Sequence, residues 1–395
     1  MAYDFDRVIE RRGTNCSKWD TDPRTIEGAD YPVGSPLPLW IADMDFEVAP
    51  EITEALTERA RHGVFGYTLI PDSCYDAIID WEARRHGWRI EREWIQFAPG
   101  AVPAAHMAVQ AFCQPGDRVI IQRPVYYPFF RTVLNNGAQI ANNPLVLRGG
   151  RYEIDFEDFE RQARDPRTTL FILCSPHNPV GRVWSREDLE RLGDICAKNG
   201  VRVFADELHC DILMPGYKHH PFGNVDTVCR GNSMTVIAPS KTFNLAGLQA
   251  TVTITPNPRM RLLYENVLVR NSIPRPNLFA ITGLEAAYRH GERWLDELLV
   301  YIEGNYDFLV SYLEERLPQV RVMPLEGTFL AWMDFSALEP NPYVLQKRML
   351  TEANVWLDEG WVFGPEGNGF ERLVLACPRS ILKEALDRIV RAFGR

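Results

Sequence analysis

Three apolar strand patterns in this chain each run into a polar sequence that could do chemistry. TLFILC (169–174) leads into SPHNPVG, VRVFAD (201–206) into Glu207-Leu208-His209, and MTVIA (234–238) into Pro239-Ser240-Lys241-Thr242. In open α/β sheets ligands bind beyond the carboxyl ends of the strands, so three such endings in succession read as one site. Lysine is the informative residue type. The chain has six, and only Lys241 closely follows an apolar strand. Lys198, Lys347 and Lys383 fall on helical patterns, Lys18 lies in a turn-rich N-terminal wrap, and Lys218 sits in a loop beside His219 and His220. Desolvation at a strand end lowers an amine's pKa and leaves it nucleophilic. Such amines form Schiff bases with carbonyls. A salt-bridged lysine at a sheet edge is the competing reading.

The neighbours narrow the choice of carbonyl. Asp206 closes a buried strand, where a carboxylate is costly unless paired. Pyridoxal phosphate is an aldehyde whose ring nitrogen needs such an acid partner, so that the protonated ring can accept electrons from a substrate carbon. A helix-capping aspartate is the alternative. Asn178 lies in a rigid turn with two X-Pro bonds and could donate to a cofactor oxygen, although Asn-Pro turns are often structural. Pro99-Gly100-Ala101-Val102 opens a helical run to Cys113, whose free N–H groups and dipole favour a phosphate. The Ser240 hydroxyl is available to the same phosphate. Tyr126 and Tyr127 follow strand 118–122, and an aromatic ring there can stack on a flat cofactor or simply pack in the core. Arg379, in ACPRS after RLVLAC, could clamp a substrate carboxylate bidentately.

The elements that must position these groups are readable from periodicity. Strands are expected at 118–122, 169–174, 201–206, 234–238 and 250–254, apolar throughout and with helices between some of them. That implies a mostly parallel sheet covered on both faces, an α/β fold. Ser185 and Asp188 form a capping box for a helix over 185–200. A helix from about Glu51 places Ile52, Leu56 and Ala60 on one face. Long helices are expected at 258–272 and, as a pair, over 278–317. The tail mixes FLAWMDF (329–335), a helix near 342–353, RLVLAC (372–377) and a closing helix 380–393. The pattern divides into an N-terminal wrap (1–50, with turns at Asp20–Pro23 and from Gly28 to Pro38), a large domain (51–285) and a smaller α+β domain (286–395).

The bulk composition excludes other classes. With 395 residues and 46% hydrophobic content the chain can bury a large core. A net charge of −10 without a basic block argues against nucleic acid or an anionic membrane. The charged N-terminus has no signal-like apolar region, and no run approaches a membrane span. Eight scattered cysteines without a C-x-x-C pair read as reduced thiols in a cytoplasmic protein, and no metal site is expected.

Taken together, LWIADMDF (39–46), GYT (66–68), SPHNPVGRVW (175–184), ADELHCDI (205–212), PSKTFNLAGL (239–248) and ACPRS (376–380) resemble the MalY/PatB group of fold-type-I pyridoxal-phosphate enzymes, aminotransferase-shaped cystathionine or cysteine-conjugate β-lyases. The resemblance spans nearly the whole chain. It implies Lys241 as Schiff-base lysine and proton shuttle, Asp206 on the pyridinium nitrogen, Asn178 on the ring hydroxyl and Tyr126 stacked on the ring. It implies the Ala101 and Val102 N–H groups and Ser240 on the phosphate, with Tyr67 reaching that phosphate across a homodimer interface. Arg379 would take the substrate carboxylate, beside backbone near Ala42. His209, three residues after Asp206 where aminotransferases carry tyrosine, favours the lyase group. Tyr127, the acidic Asp358-Glu359-Gly360-Trp361 loop and Val374 depart from the group's pattern and bear on substrate choice. The expected activity is release of a thiol, pyruvate and ammonia from an amino acid with sulfur on Cβ. Transamination, or regulator binding with a secondary lyase site, are the alternatives.

Overall fold

The computed structural model describes residues 2–25, 31–273 and 275–394. The start of the turn-rich stretch from Gly28 lies outside them. The expected strands form at Arg118–Ile121, Thr168–Cys174, Arg202–Asp206, Ser233–Ile237 and Thr251–Ile254. With Ile95–Ala98 and Gln139–Asn142 they make a seven-stranded sheet. Its spatial order is 95–98, 251–254, 233–237, 202–206, 168–174, 118–121, 139–142. The five strands from 233–237 to 139–142 are parallel, and 251–254 runs antiparallel to both of its neighbours.

Alternation along these strands builds two cores, because successive side chains point to opposite faces. Ile120, Phe171, Leu173, Val203 and Ala205 pack with Phe159, Leu189, Leu192 and Cys196 of helices Phe156–Ala163 and Arg186–Lys198. Val119, Ile121, Leu170, Ile172, Phe204, Met234 and Val236 pack with Ala104, Ala108, Met260 and Tyr264 of helices Ala101–Phe112 and Pro258–Arg270. Both faces are therefore covered, as continuous apolar strands require. The Ser185–Asp188 capping box is present at the start of Arg186–Lys198.

The C-terminal part carries an antiparallel four-stranded sheet in the order 321–322, 330–334, 370–374, 358–359. Helices Glu292–Arg316 and Arg379–Phe393 belong to this part. The N-terminal segment joins it through a parallel pairing of Leu37–Pro38 with Val355–Trp356. Some local expectations shift. RLVLAC is strand only to Val374, the helix near 342–353 becomes a π-helical turn after Arg348, and Ala60 is exposed although Ile52 is buried. Helix Asp72–His86 and strand Ile95–Ala98 are additions to the sequence reading. Because 168–174, 202–206 and 233–237 are parallel and adjacent, their carboxyl ends open on the same edge of the sheet.

Candidate active site

At that edge Ala42, Ala101, Val102, Tyr126, Asn178, Asp206, His209 and Lys241 surround one recess, with Cys174 and Leu208 completing its walls. Its cavity volume is about 50 Å³. Lys241 sits on the short helical turn Pro239–Thr242, and its Nζ donates to the Ala42 carbonyl at 2.6 Å. Burial, reinforced by the Arg372 guanidinium, lowers its pKa to about 8. Asp206 is buried, and one of its oxygens accepts from the Leu208 N–H at 3.2 Å. Burial pushes its pKa up to about 6, against the smaller pull of that N–H and of Lys241. His209 is held neutral, first by burial and then by Lys241 and Arg372.

Two hydrogen-bonded frames hold Lys241. Lys18 and Arg11 pin loop 41–46 from one side: Lys18 Nζ donates to the Asp43 carbonyl (3.1 Å) and to Asp45 (2.8 Å), while Arg11 donates to Asp43 (2.7 Å) and Asp45 (2.5 Å). Asn244 pins it from the other, exchanging hydrogen bonds with the Met44 backbone at 3.0 and 2.9 Å. Behind Lys241, the Thr242 hydroxyl donates to buried Asp211 (2.7 Å), which also bonds His86 (2.8 Å) and Trp81 (3.2 Å).

The recess suits pyridoxal phosphate on its own chemistry. Among the described residues Asp206 is a buried carboxylate without a cationic hydrogen-bond partner, and a protonated ring nitrogen would supply one. Ala101 and Val102 begin helix Ala101–Phe112, and the first N–H groups of a helix have no partner within it. Gly100 enters that helix at φ 139°, a conformation side chains rarely adopt, and an added Cβ would lie 3.3 Å from Pro103. The Asn178 carbonyl accepts from the Tyr126 N–H at 3.0 Å, so ring and amide are fixed together.

One sequence-predicted residue is not brought to the recess. Arg379 is not in the recess. Its Nε donates to Asn305 at 2.5 Å and its guanidinium lies 5.0 Å from the centre of the Phe308 ring. Arg379 starts a helix beyond the strand end, and the chain has turned away from the sheet edge there. Arg372, within strand Phe370–Val374, is the guanidinium beside the recess. It is buried, donating to Asn178 Oδ1 (3.0 Å) and the Trp40 carbonyl (2.8 Å) and pairing with Asp358. The available signal was a charged pair, Glu371 and Arg372, opening the apolar run RLVLAC, where burial forces an arginine to find partners. Ser240 is half-buried and does not line the recess, and Tyr67 is fully exposed.

This fold and this strand-end lysine identify the class: the chain belongs to the aminotransferase class I and II family, whose profile matches residues 36–389. Among individual proteins, it is 47% identical to cystathionine beta-lyase PatB of Bacillus subtilis (strain 168), over 99% of this chain and 100% of that protein. It is 32% identical to protein MalY of Escherichia coli (strain K12), over 99% and 98% of the two chains. The crystal structure of cystalysin from Treponema denticola, which contains a pyridoxal 5'-phosphate cofactor, superposes with a TM-score of 0.95 at 36% identity, covering 100% of this chain and 99% of that one.

Proposed function

We propose that the protein is a pyridoxal-phosphate-dependent carbon–sulfur β-lyase that cleaves cystathionine or a related cysteine S-conjugate to a thiol, pyruvate and ammonia. The observation that carries this is that the half-buried Lys241 amine and Asp206 line one recess, in a chain nearly half identical to a cystathionine beta-lyase. When bound, pyridoxal phosphate supplies an aldehyde for the amine and a ring that accepts electrons. Asp206 keeps the ring nitrogen protonated, Asn178 takes the ring hydroxyl, and Tyr126 flanks the ring. The Ala101 and Val102 N–H groups hold the phosphate with the Ser240 hydroxyl. Arg372 takes the substrate carboxylate, since it is the guanidinium that reaches Asn178.

Lys241 Nζ then removes the Cα proton. A pKa of about 8 matches that task near neutral pH, where the amine must accept and later give up a proton. The Ala42 carbonyl at 2.6 Å orients it. Neutral His209 adds no charge to the pocket. The test is to supply cystathionine and follow pyruvate and free thiol. Both should appear. Amination of a keto acid without either product would make the protein an aminotransferase instead.

Three further readings complete the proposal. Val64, Phe65, Tyr67 and Leu69 are all more than half exposed, Tyr67 fully so. A homodimer in which this arm reaches the partner's phosphate accounts for them, and light scattering tests it. All eight cysteines are free, which suits a reducing cytoplasm. No helix among the described residues is long and apolar enough to cross a membrane. Residues 1–50, 51–285 and 286–395 act as wrap, large domain and small domain.

A further inference from the structure

Arg372 is already engaged before any substrate arrives. Strand Asp358–Glu359 pairs antiparallel with Phe370–Val374, and the register sets Asp358 opposite Arg372. Facing residues on paired strands point the same way. Asp358 therefore lies against the guanidinium and forms a buried ion pair with it, with side-chain exposures of 6% and 3%. Two further hydrogen bonds of Arg372 go to Asn178 and the Trp40 carbonyl. Asp358 is also the strongest influence on the Tyr127 hydroxyl and acts on that of Tyr126. Its field thus reaches the wall of the recess. Glu359 and Glu371 face each other on the opposite side of the same strand pair.

A charge balance follows, and it rests on the lyase reading and on Arg372 as the carboxylate site. The charge of Lys241 is taken up by the cofactor, and Asp206 is balanced by the ring nitrogen. Lys18 and Arg11 are balanced by Asp43 and Asp45. Apart from the cofactor phosphate, which faces the helix start at Ala101, what remains is one guanidinium shared by Asp358 and the substrate carboxylate, a surplus negative charge at that end of the loaded site. In a low-dielectric pocket that surplus acts on any charge placed nearby on the substrate. A second carboxylate is opposed, and a cation is favoured.

We infer that Asp358 is a specificity-determining residue that selects cysteine S-conjugates with a cationic group on the sulfur substituent and rejects those with an anionic one. Specificity of this kind comes from the repulsive element as much as from the attractive one. Asp358 does not line the recess; it acts through its charge, one guanidinium away.

The test uses the holoenzyme and three ligands of similar size: S-(2-aminoethyl)-L-cysteine, S-carboxymethyl-L-cysteine and the neutral S-ethyl-L-cysteine as reference. Turnover is read as pyruvate, and binding as the change in cofactor absorbance. The wild type is expected to favour the aminoethyl over the carboxymethyl compound by roughly tenfold or more in kcat/KM and in Kd. Asp358→Asn should bring that ratio close to one. A wild type that prefers the carboxymethyl compound, or an Asp358→Asn enzyme with the wild-type ratio, overturns the inference. If that variant fails to fold, the wild-type ratio alone still decides. Absence of pyruvate from all three ligands sinks the lyase reading and not this one, because the binding ratio is still measured.

Discussion

Two lysines of this chain, Lys18 buried and Lys241 half-buried, lie within reach of the same loop, and their pKa values shift in opposite directions. The carbonyls of Ala42 and Asp43 are consecutive: the first accepts from Lys241 and the second from Lys18. Burial opposes the charge on both. At Lys18 the carboxylates of Asp45 and Asp43 outweigh it, and the amine stays an ammonium with a raised pKa. At Lys241 the next influence is a second cation, Arg372, and the pKa falls to about 8. Burial alone does not make a lysine nucleophilic. The sign of its nearest charged neighbour decides whether it becomes a strut or a reagent.

The sharpest way to break this contrast is to delete each amine in turn. Lys241→Ala should lower lyase turnover by about 10³-fold or more, since the proton-transfer group and the cofactor's anchor go together. Circular dichroism should stay native. Lys18→Met should do the reverse, costing about 3–5 kcal/mol of stability by leaving Asp45 and Asp43 with one cation fewer. That loss is read from chemical denaturation. If Lys18→Met were as stable as wild type, or Lys241→Ala kept its turnover, the two residues would not differ in kind.

Arg372 sharpens the comparison, because it is the neighbour that separates the two lysines. Arg372→Met should raise KM for the amino acid by roughly tenfold to a hundredfold, the worth of a charge-assisted hydrogen bond. It should also move the reactivity midpoint of the free Lys241 amine above 8, since the nearby positive charge is gone. Arg379→Met should change KM little, and equal effects from both would restore the sequence-based assignment.

The smallest effects are in pH dependence. The folded-state pKa of Lys241 is depressed to about 8 from 10.5, so between those values the unfolded chain binds more protons and apoprotein stability rises with pH. Glu359 behaves oppositely. Burial and then Asp358 raise its pKa above the ordinary 4.5, so the folded state binds more protons and stability is lost as pH climbs from 4.5. Glu359→Gln should flatten that decline in a series of denaturation midpoints. An unchanged slope would show that Glu359 does not hold its proton in the fold.

Much of the site was legible in the sequence because its residues follow strands. Lys241, Asp206 and Asn178 each sit a few positions past an apolar run, and parallel strands must end on one edge. The capping box was legible for the same local reason. Arg372, its pairing with Asp358 and the burial of Lys18 were not. Their partners lie across a small sheet or along the N-terminal segment, and periodicity carries no record of which strand lies beside which. Arg379 lies outside the recess because RLVLAC, read as strand to its last residue, stops pairing at Val374. The antiparallel course of 251–254 was hidden likewise, since a fully buried strand is apolar in either direction.

The most direct measurement is to load the purified protein with pyridoxal phosphate, reduce it with borohydride and map the peptides by mass. The account predicts the pyridoxyl adduct on Lys241 and none on Lys18, although both amines bond carbonyls of the same loop. An adduct on Lys18, or none on the peptide that contains residue 241, would contradict it.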